Sequence, residues 1–228
     1  MNKKIRVIEI DGCDAVGKTT QINELKKIIL SKDYELYTTR LLGGDGECEY
    51  QMGYRKLLLH SKFPKDSVEL EEMMFAETDL KGIEDMRTKL NESEKTFVIK
   101  DRSLASHVVY ALSKGMNNNQ IDHVHREVIR QNRLINQEFG SVHIILVPKR
   151  LEMVIERLNS RNQKDGTEIV ERLENLETQR RVVEGMKTFS NMNYAEGLNV
   201  ELIEVGDSDS ILDLHAKIAG VLNSKYEF

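Results

Sequence analysis

The chain has 228 residues, 39% hydrophobic and 31% charged, with a formal charge of −5. That length can bury a sizeable core, and the acidic balance argues against a general nucleic-acid binder. Two cysteines, Cys13 and Cys48, are too few for a disulfide framework or a structural zinc site. There is no linker-like tract, no signal-type apolar block and no run long enough to span a membrane, so the expectation is one soluble cytoplasmic domain over residues 1–228.

The first predicted element is a strand over Ile5–Ile10. It lacks polar–apolar alternation, as a strand buried on both faces of a parallel sheet does. Gly12-Cys13-Asp14-Ala15-Val16-Gly17-Lys18-Thr19 follows at once, in the form G-x-x-x-x-G-K-T. Glycines let such a loop bend tightly, so that its N–H groups point inward at phosphate oxygens. In this motif Lys18 reaches the outer phosphates of a nucleoside triphosphate and the Thr19 hydroxyl ligates Mg²⁺. A helix beginning near Gly17 adds its N-terminal dipole, and Ile22, Leu25, Ile28 and Ile29 carry its apolar face. Cys13 reads either as a small filler of the loop or as a redox residue.

Further strands are predicted at Tyr34–Thr39, Thr96–Lys100, Val142–Val147 and Val200–Val205, with segments of helical period between them. Strands alternating with helices imply an α/β fold, a five-stranded parallel sheet with helices on both faces, in which ligands sit at the carboxyl ends of the strands. The second strand leads into Arg40-Leu41-Leu42-Gly43-Gly44-Asp45, which reads as a ligand-approaching turn or as an ordinary one. Long helices are predicted over Ser67–Asn91, Asn118–Glu138 and about Glu168–Asn191. Met73, Met74 and Phe75 in the first of them read as core or as a base pocket.

After the third strand comes Lys100-Asp101-Arg102-Ser103. Asp101 could hold Mg²⁺ through water and Arg102 a second phosphate; the other reading is an ion pair at a helix start, where Asp is a common cap. His123 and His125, two residues apart and on different helix faces, are expected at the surface. Between Asn159 and Thr167 the apolar pattern stops, which predicts a polar loop. Arg157, Arg161 and Lys164 in and beside it, with Arg172 beyond, suit a lid closing on transferring phosphates; a solvated helix face is the alternative.

These residues resemble the thymidylate (dTMP) kinases, among the P-loop nucleoside monophosphate kinases. The family's E-G-x-D-G-x-G-K-T-T-Q is similar to Asp11–Gln21, and its T-R-E-P-G-G-T to Thr39–Asp45. Its L-F-A-x-D-R is similar to Met74–Asp79, and its D-R-Y-x-x-S-x-x-A-Y-Q to Asp101–Ala111. The lid pattern E-R-x-x-x-R-x-x-x-D-R-x-E is similar to Glu156–Glu168, and a later R-V-x-E-G-Y to Arg181–Met186.

The resemblance implies a three-layer fold with an arginine-bearing lid at about residues 157–168. It implies transfer of the γ-phosphoryl of ATP, with Mg²⁺, to a nucleoside 5′-monophosphate by a homodimer. Gly12, Asp14, Ala15, Val16, Gly17, Lys18, Thr19 and Thr20 would surround the ATP phosphates. Asp14 would also bind the acceptor's 3′-hydroxyl, Arg40 and Arg102 its phosphate, and Phe75 would stack on its base. Ser106, Tyr110 and Ala111 fall at acceptor-binding positions, Arg157 and Arg161 at lid arginines, and Thr19 and Asp101 at the metal. Ala15 stands where some members carry an arginine, which leaves transition-state charge to the lid.

The departures concern the base. Asp79 replaces the arginine that donates to the thymine carbonyl, Ala111 replaces a base-contacting Gln, Ser103 the Tyr of D-R-Y and Leu41 the Glu of R-E-P. Gly166 takes the place of one lid arginine. A carboxylate at the base edge reverses the hydrogen-bond demand, so a base other than thymine, or other reading residues, is expected. Two rivals remain. A deoxynucleoside kinase needs a carboxylate base after the second strand, where Arg40 stands and Glu47 and Glu49 lie further on. A nucleotide-binding switch would show slow hydrolysis without acceptor dependence, and the chain has no N-K-x-D motif.

Overall fold

The computed structural model describes residues 4–32, 34–40, 67–92, 95–165 and 176–226. In chain order the elements are β1 (Lys4–Gly12), α1 (Lys18–Ser31), β2 (Glu35–Arg40), α2 (Val68–Glu92), β3 (Lys95–Asp101), α3 (Leu104–Ser113), α4 (Asn118–Phe139), β4 (Val142–Pro148), α5 (Leu151–Asp165), α6 (Leu176–Thr188), β5 (Val200–Val205) and α7 (Ile211–Tyr226). Two short 3₁₀ turns, Phe189–Asn191 and Asn193–Ala195, join α6 to β5. No described helix is long and apolar enough to cross a membrane.

The five strands form one parallel sheet in the order β2-β3-β1-β4-β5. The chain leaves β1 toward one edge, returns through β3, and then builds the other side with β4 and β5. The reversal occurs at β1, and a crevice opens at the carboxyl end of the strand where such an order switches. That end is Gly12, so the loop of residues 13–17 sits at the switch point.

Strand period sorts β1 into two faces. Ile8 and Ile10 belong to the larger core cluster with Ile22, Leu25 and Ile29 of α1 and Leu214, Ile218 and Leu222 of α7. Val7, on the other face, packs with Ile83, Met86, Leu90, Val98 and Ile135. Glu9 follows on that face, in register with Lys100 of β3 and His143 of β4. All three are buried. A buried charged row thus crosses the middle of the sheet where apolar residues would ordinarily lie, beneath α2, α3 and α4.

Two expectations are corrected here. Residues 159–165 are helical, continuing α5 to Asp165, and only 166 and 167 of the predicted loop lie outside the described residues. The apolar stripe stops at Leu158 because the helix leaves the core there, after burying Met153, Val154 and Leu158. No glycine or proline interrupts it before Gly166, so the helix continues through this polar sequence to Asp165. His125 is buried, not at the surface. It lies on the inward stripe of α4 with Ile121, Val128, Asn132 and Ile135, whereas His123 is exposed.

Candidate active site

The site begins with backbone geometry. Gly12 has φ 144°, and a Cβ there would lie 2.5 Å from the Leu146 carbonyl oxygen of the neighbouring strand. Gly17, at φ 113°, starts α1 in a conformation that side chains rarely adopt. Two residues with side chains also take positive φ, Ala15 at 57° and Arg102 at 71°. Left-handed non-glycine backbone costs about 1–3 kcal/mol and concentrates at functional sites. Both residues stand on the rim of the same crevice.

Lys18 is buried and curls back on the loop, its Nζ donating to the carbonyls of Gly12 at 3.0 Å and Cys13 at 2.6 Å. Arg102 arrives from the end of β3 and donates from Nη1 to the same Gly12 carbonyl at 3.2 Å. Two cations therefore converge on one carbonyl, a geometry suited to polyanions. Burial, with Arg102 beside it, pushes Lys18 down to about 8. Thr19 and Thr20 are exposed on the first turn of α1.

Asp14 is the counterion. It pairs with Arg102 Nη2, and its Oδ2 accepts from Tyr110 Oη at 2.9 Å and Gln179 Nε2 at 3.2 Å. Burial alone would raise this carboxyl, but Arg102 and Lys18 outweigh it and hold Asp14 near 2. Asp101 pairs through Oδ2 with Arg40 Nε at 3.3 Å. Arg157 reaches from α5 to the carbonyls of Ala15 and Val16, each at 3.4 Å. Arg161 lies one turn further along α5, its side chain outside the described residues. The segments holding Leu41–Asp45, Glu47, Cys48, Glu49, Gly166 and Arg172 are also outside them, as is the side chain of Lys164.

Below the crevice lies a residue whose role the sequence did not reveal. Asp11 is fully buried and accepts from the N–H groups of Ser103 at 2.9 Å and Ser106 at 3.1 Å, and from both their hydroxyls at 2.5 Å. Ser103 makes no cap of its own. A carboxylate from β1 therefore serves as the N-cap of α3 and meets its positive dipole end. That fixes Arg102, and it shows Ser106 engaged in holding the helix. Gln179 was likewise missed; its sequence signal is a polar residue on the inward stripe of α6 with Val182, Val183 and Met186. Cys13 is fully buried, its thiol pushed up to about 11 by burial, which fits a small filler.

On the acceptor side the expectation for Asp79 is overturned. The residue is 4% exposed and faces no open edge. Its Oδ2 accepts from Lys100 Nζ at 3.0 Å and lies 3.2 Å from His107 Nε2. Lys100 also donates to Asn132 Oδ1 at 3.3 Å. Burial would raise the Asp79 carboxyl, but Lys100 and His107 hold it well below the usual range. Ala111 is buried as well, and Phe75 is half-buried with Lys114 Nζ 4.8 Å from its ring centroid.

The family model for thymidylate kinase matches residues 10–202. A thymidylate kinase of Caldicellulosiruptor saccharolyticus is 26% identical over 199 residues, covering 87% of this chain and 88% of its own. One from Campylobacter lari is 26% identical over 220 residues, covering 95% and 98%.

Proposed function

The chain belongs to the thymidylate kinase family, a nucleoside monophosphate kinase, and from that premise we propose that it transfers the γ-phosphoryl of ATP to the 5′-phosphate of a pyrimidine deoxynucleoside monophosphate. The observation that supports this reading most is the convergence of Lys18, Arg102, Asp14 and Arg157 on the loop after β1.

In-line phosphoryl transfer asks little covalent chemistry of a protein; positioning and charge stabilisation supply the rate. The inward N–H groups of the loop and Lys18 hold the donor phosphates. Arg40 and Arg102 hold the acceptor phosphate, with Asp14 orienting Arg102 and taking the sugar 3′-hydroxyl. Phe75 stacks on the base. Arg157 exchanges backbone carbonyls for phosphoryl oxygens as charge spreads over them, and Arg161 is the second lid arginine. Gly12, Ala15, Val16, Gly17 and Thr20 complete the donor cradle, and the lid extends over about residues 157–168. Ser106 and Tyr110 hold the acceptor site in shape through Asp11 and Asp14, and Ala111 packs behind it.

Thr19 and Asp101 provide hard oxygen donors at the crevice, the set that Mg²⁺ takes beside substrate phosphates. That ion, when bound, neutralises phosphate charge. Membership of that family supports a cytoplasmic homodimer, which light scattering on the eluting protein would test. A free 5′-hydroxyl acceptor lacks support: it needs a carboxylate base after β2, and that strand ends on Arg40.

The direct test is ADP release from Mg·ATP across ribo- and deoxynucleoside monophosphates, with free nucleosides alongside. The expected result is ADP release that depends on a pyrimidine deoxynucleoside monophosphate and is absent with free nucleosides. Response to free nucleosides alone would transfer the protein to the deoxynucleoside kinase reading. No acceptor dependence would make it a nucleotide-binding protein.

A further inference from the structure

Three helices meet under the acceptor side, and each contributes two polar residues seven positions apart: Glu72 and Asp79 from α2, His107 and Lys114 from α3 and its C-cap, His125 and Asn132 from α4. Seven residues is two helical turns, so each pair stands on one face. Glu72, Lys114 and His125, with the His107 ring, form a second layer above the Asp79–Lys100 pair. His125 Nε2 lies 3.2 Å from Glu72 Oε2, and the rings of His107 and His125 are 5.0 Å apart. Lys114 Nζ donates to Glu72 Oε1 at 2.6 Å and to Glu71 Oε1 at 2.7 Å. The column thus runs from the sheet to the ring of Phe75.

Donor counting at the top of this column is informative. An ammonium carries three N–H donors. Among the described residues, two of those on Lys114 go to Glu71 and Glu72, and the remaining contact is with the face of Phe75 at 4.8 Å. Both Glu72 oxygens are already engaged, one by Lys114 and one by His125. The upper end of the column therefore offers one donor, and it offers it beside the ring on which the base stacks.

We propose that Lys114 is the specificity-determining donor of the acceptor site, giving its third N–H to the 4-carbonyl oxygen of a pyrimidine stacked on Phe75. This rests on the monophosphate kinase reading above. It replaces the arginine donor absent at Asp79 by one from the end of α3. Glu71 and Glu72 hold the ammonium in place, and Glu72 is itself fixed by His125. On binding, a cation–π contact is exchanged for a charge-assisted hydrogen bond, so a 4-oxo pyrimidine is favoured over a 4-amino one, which presents N–H groups to the ammonium.

The test pairs a changed enzyme with a changed substrate. kcat/KM would be measured for dUMP, dCMP and 2-pyrimidinone deoxyriboside 5′-monophosphate, which lacks the 4-oxygen, in wild type, Lys114→Met and Lys114→Arg. In wild type, loss of the 4-oxygen is expected to lower kcat/KM about 10- to 100-fold, the size of one hydrogen bond to a charged group. In Lys114→Met the two substrates become nearly equal, with KM for ATP unchanged. Lys114→Arg keeps a cation between Glu71 and Glu72, so it guards against misfolding and retains part of the preference. Equal use of both substrates by wild type, or a uniform loss across all three in Lys114→Met, overturns the proposal. Turnover with dCMP preferred overturns it while leaving the kinase reading intact. No turnover of any monophosphate overturns both.

Discussion

The phosphate end and the acceptor end of this site are built on different principles. The phosphate end is local. One strand, one loop and one helix within Lys4–Ser31 present backbone N–H groups, a lysine and a hydroxyl, and the positive φ at Gly12 and Gly17 sets their direction. The acceptor end is assembled over long range. Its polar column joins residues from Glu71 to Asn132 on four elements, and its charges are buried against one another. A local cradle tolerates drift elsewhere in the chain, whereas a buried ionic column constrains every helix that contributes to it. Changes at the first end should therefore disable chemistry with the fold intact, and changes at the second should reach stability as well.

The sharpest separation is expected from Lys18→Met. Among the described residues the side chain bonds only the carbonyls of Gly12 and Cys13, so thermal stability should hold while kcat falls about 10³-fold, the size of losing a preorganised phosphate or oxyanion donor. A melt together with a single-turnover assay checks it. A large fall in melting temperature would erase the distinction between the two ends.

Asp79→Ala is the counterpart. It leaves Lys100 buried without its carboxylate, and breaking a buried pair costs about 3–5 kcal/mol. For a chain of this size that corresponds to roughly 6–20 °C in melting temperature. Adding Lys100→Met should recover much of the loss, since a buried pair replaced by apolar residues is often neutral. Urea titrations of the single and double variants provide the comparison. An additive double variant would show that the column is not a coupled unit.

How much of each end is legible in the sequence follows the same division. The loop, its strand and its helix are contiguous, so spacing alone locates Gly12, Lys18 and Thr19. All five strands are legible from their β-branched, aromatic and other apolar residues, with ends within a few residues of the observed bounds. Asp79, His125 and Glu9 were not legible, because the cost of burying them is offset only by partners dozens of residues away. His125 did sit on the apolar stripe of α4, but the stripe cannot say whether a polar member has a partner. Asp11 belonged to a recognisable motif, yet its work as the cap of α3 depends on a chain crossing of 92 residues. The end of α5 was misread for the opposite reason: loss of apolar period marks departure from the core, and helix can continue beyond it.

A smaller effect separates the ends by pH. Lys18 has its pKa depressed to about 8, by burial first and by Arg102 second. Bound triphosphate favours the charged form, so below pH 8 the lysine is already protonated and ATP affinity should be flat. Above pH 8 binding must take up a proton, and Kd should weaken about tenfold per pH unit until the complex itself titrates. Calorimetry in buffers of different ionisation enthalpy reads that proton directly. Lys18→Met should abolish the uptake, whereas Lys114→Met should leave it unchanged. A wild-type Kd flat from pH 7 to 9.5 would mean that Lys18 stays charged throughout, contrary to its buried setting.

The smallest expected effect lies where the two ends join. Gln179 of α6 donates to Asp14 Oδ2 alongside Tyr110, while Arg102 provides the charge. Gln179→Leu removes the one neutral amide donor and leaves the ion pair, so Asp14 stays ionised and the fold should change by no more than about 1 kcal/mol. What changes is orientation. With one fewer tether the carboxylate can turn about the Arg102 contact, and in the proposed reading that carboxylate takes the acceptor's 3′-hydroxyl. KM for the monophosphate should rise about 3- to 10-fold, the size of one neutral hydrogen bond, with KM for ATP unmoved. Were the ATP constant to rise equally, Gln179 would be holding the phosphate loop itself through Asp14, and the boundary between the local cradle and the long-range site would have to be drawn one residue further into the loop.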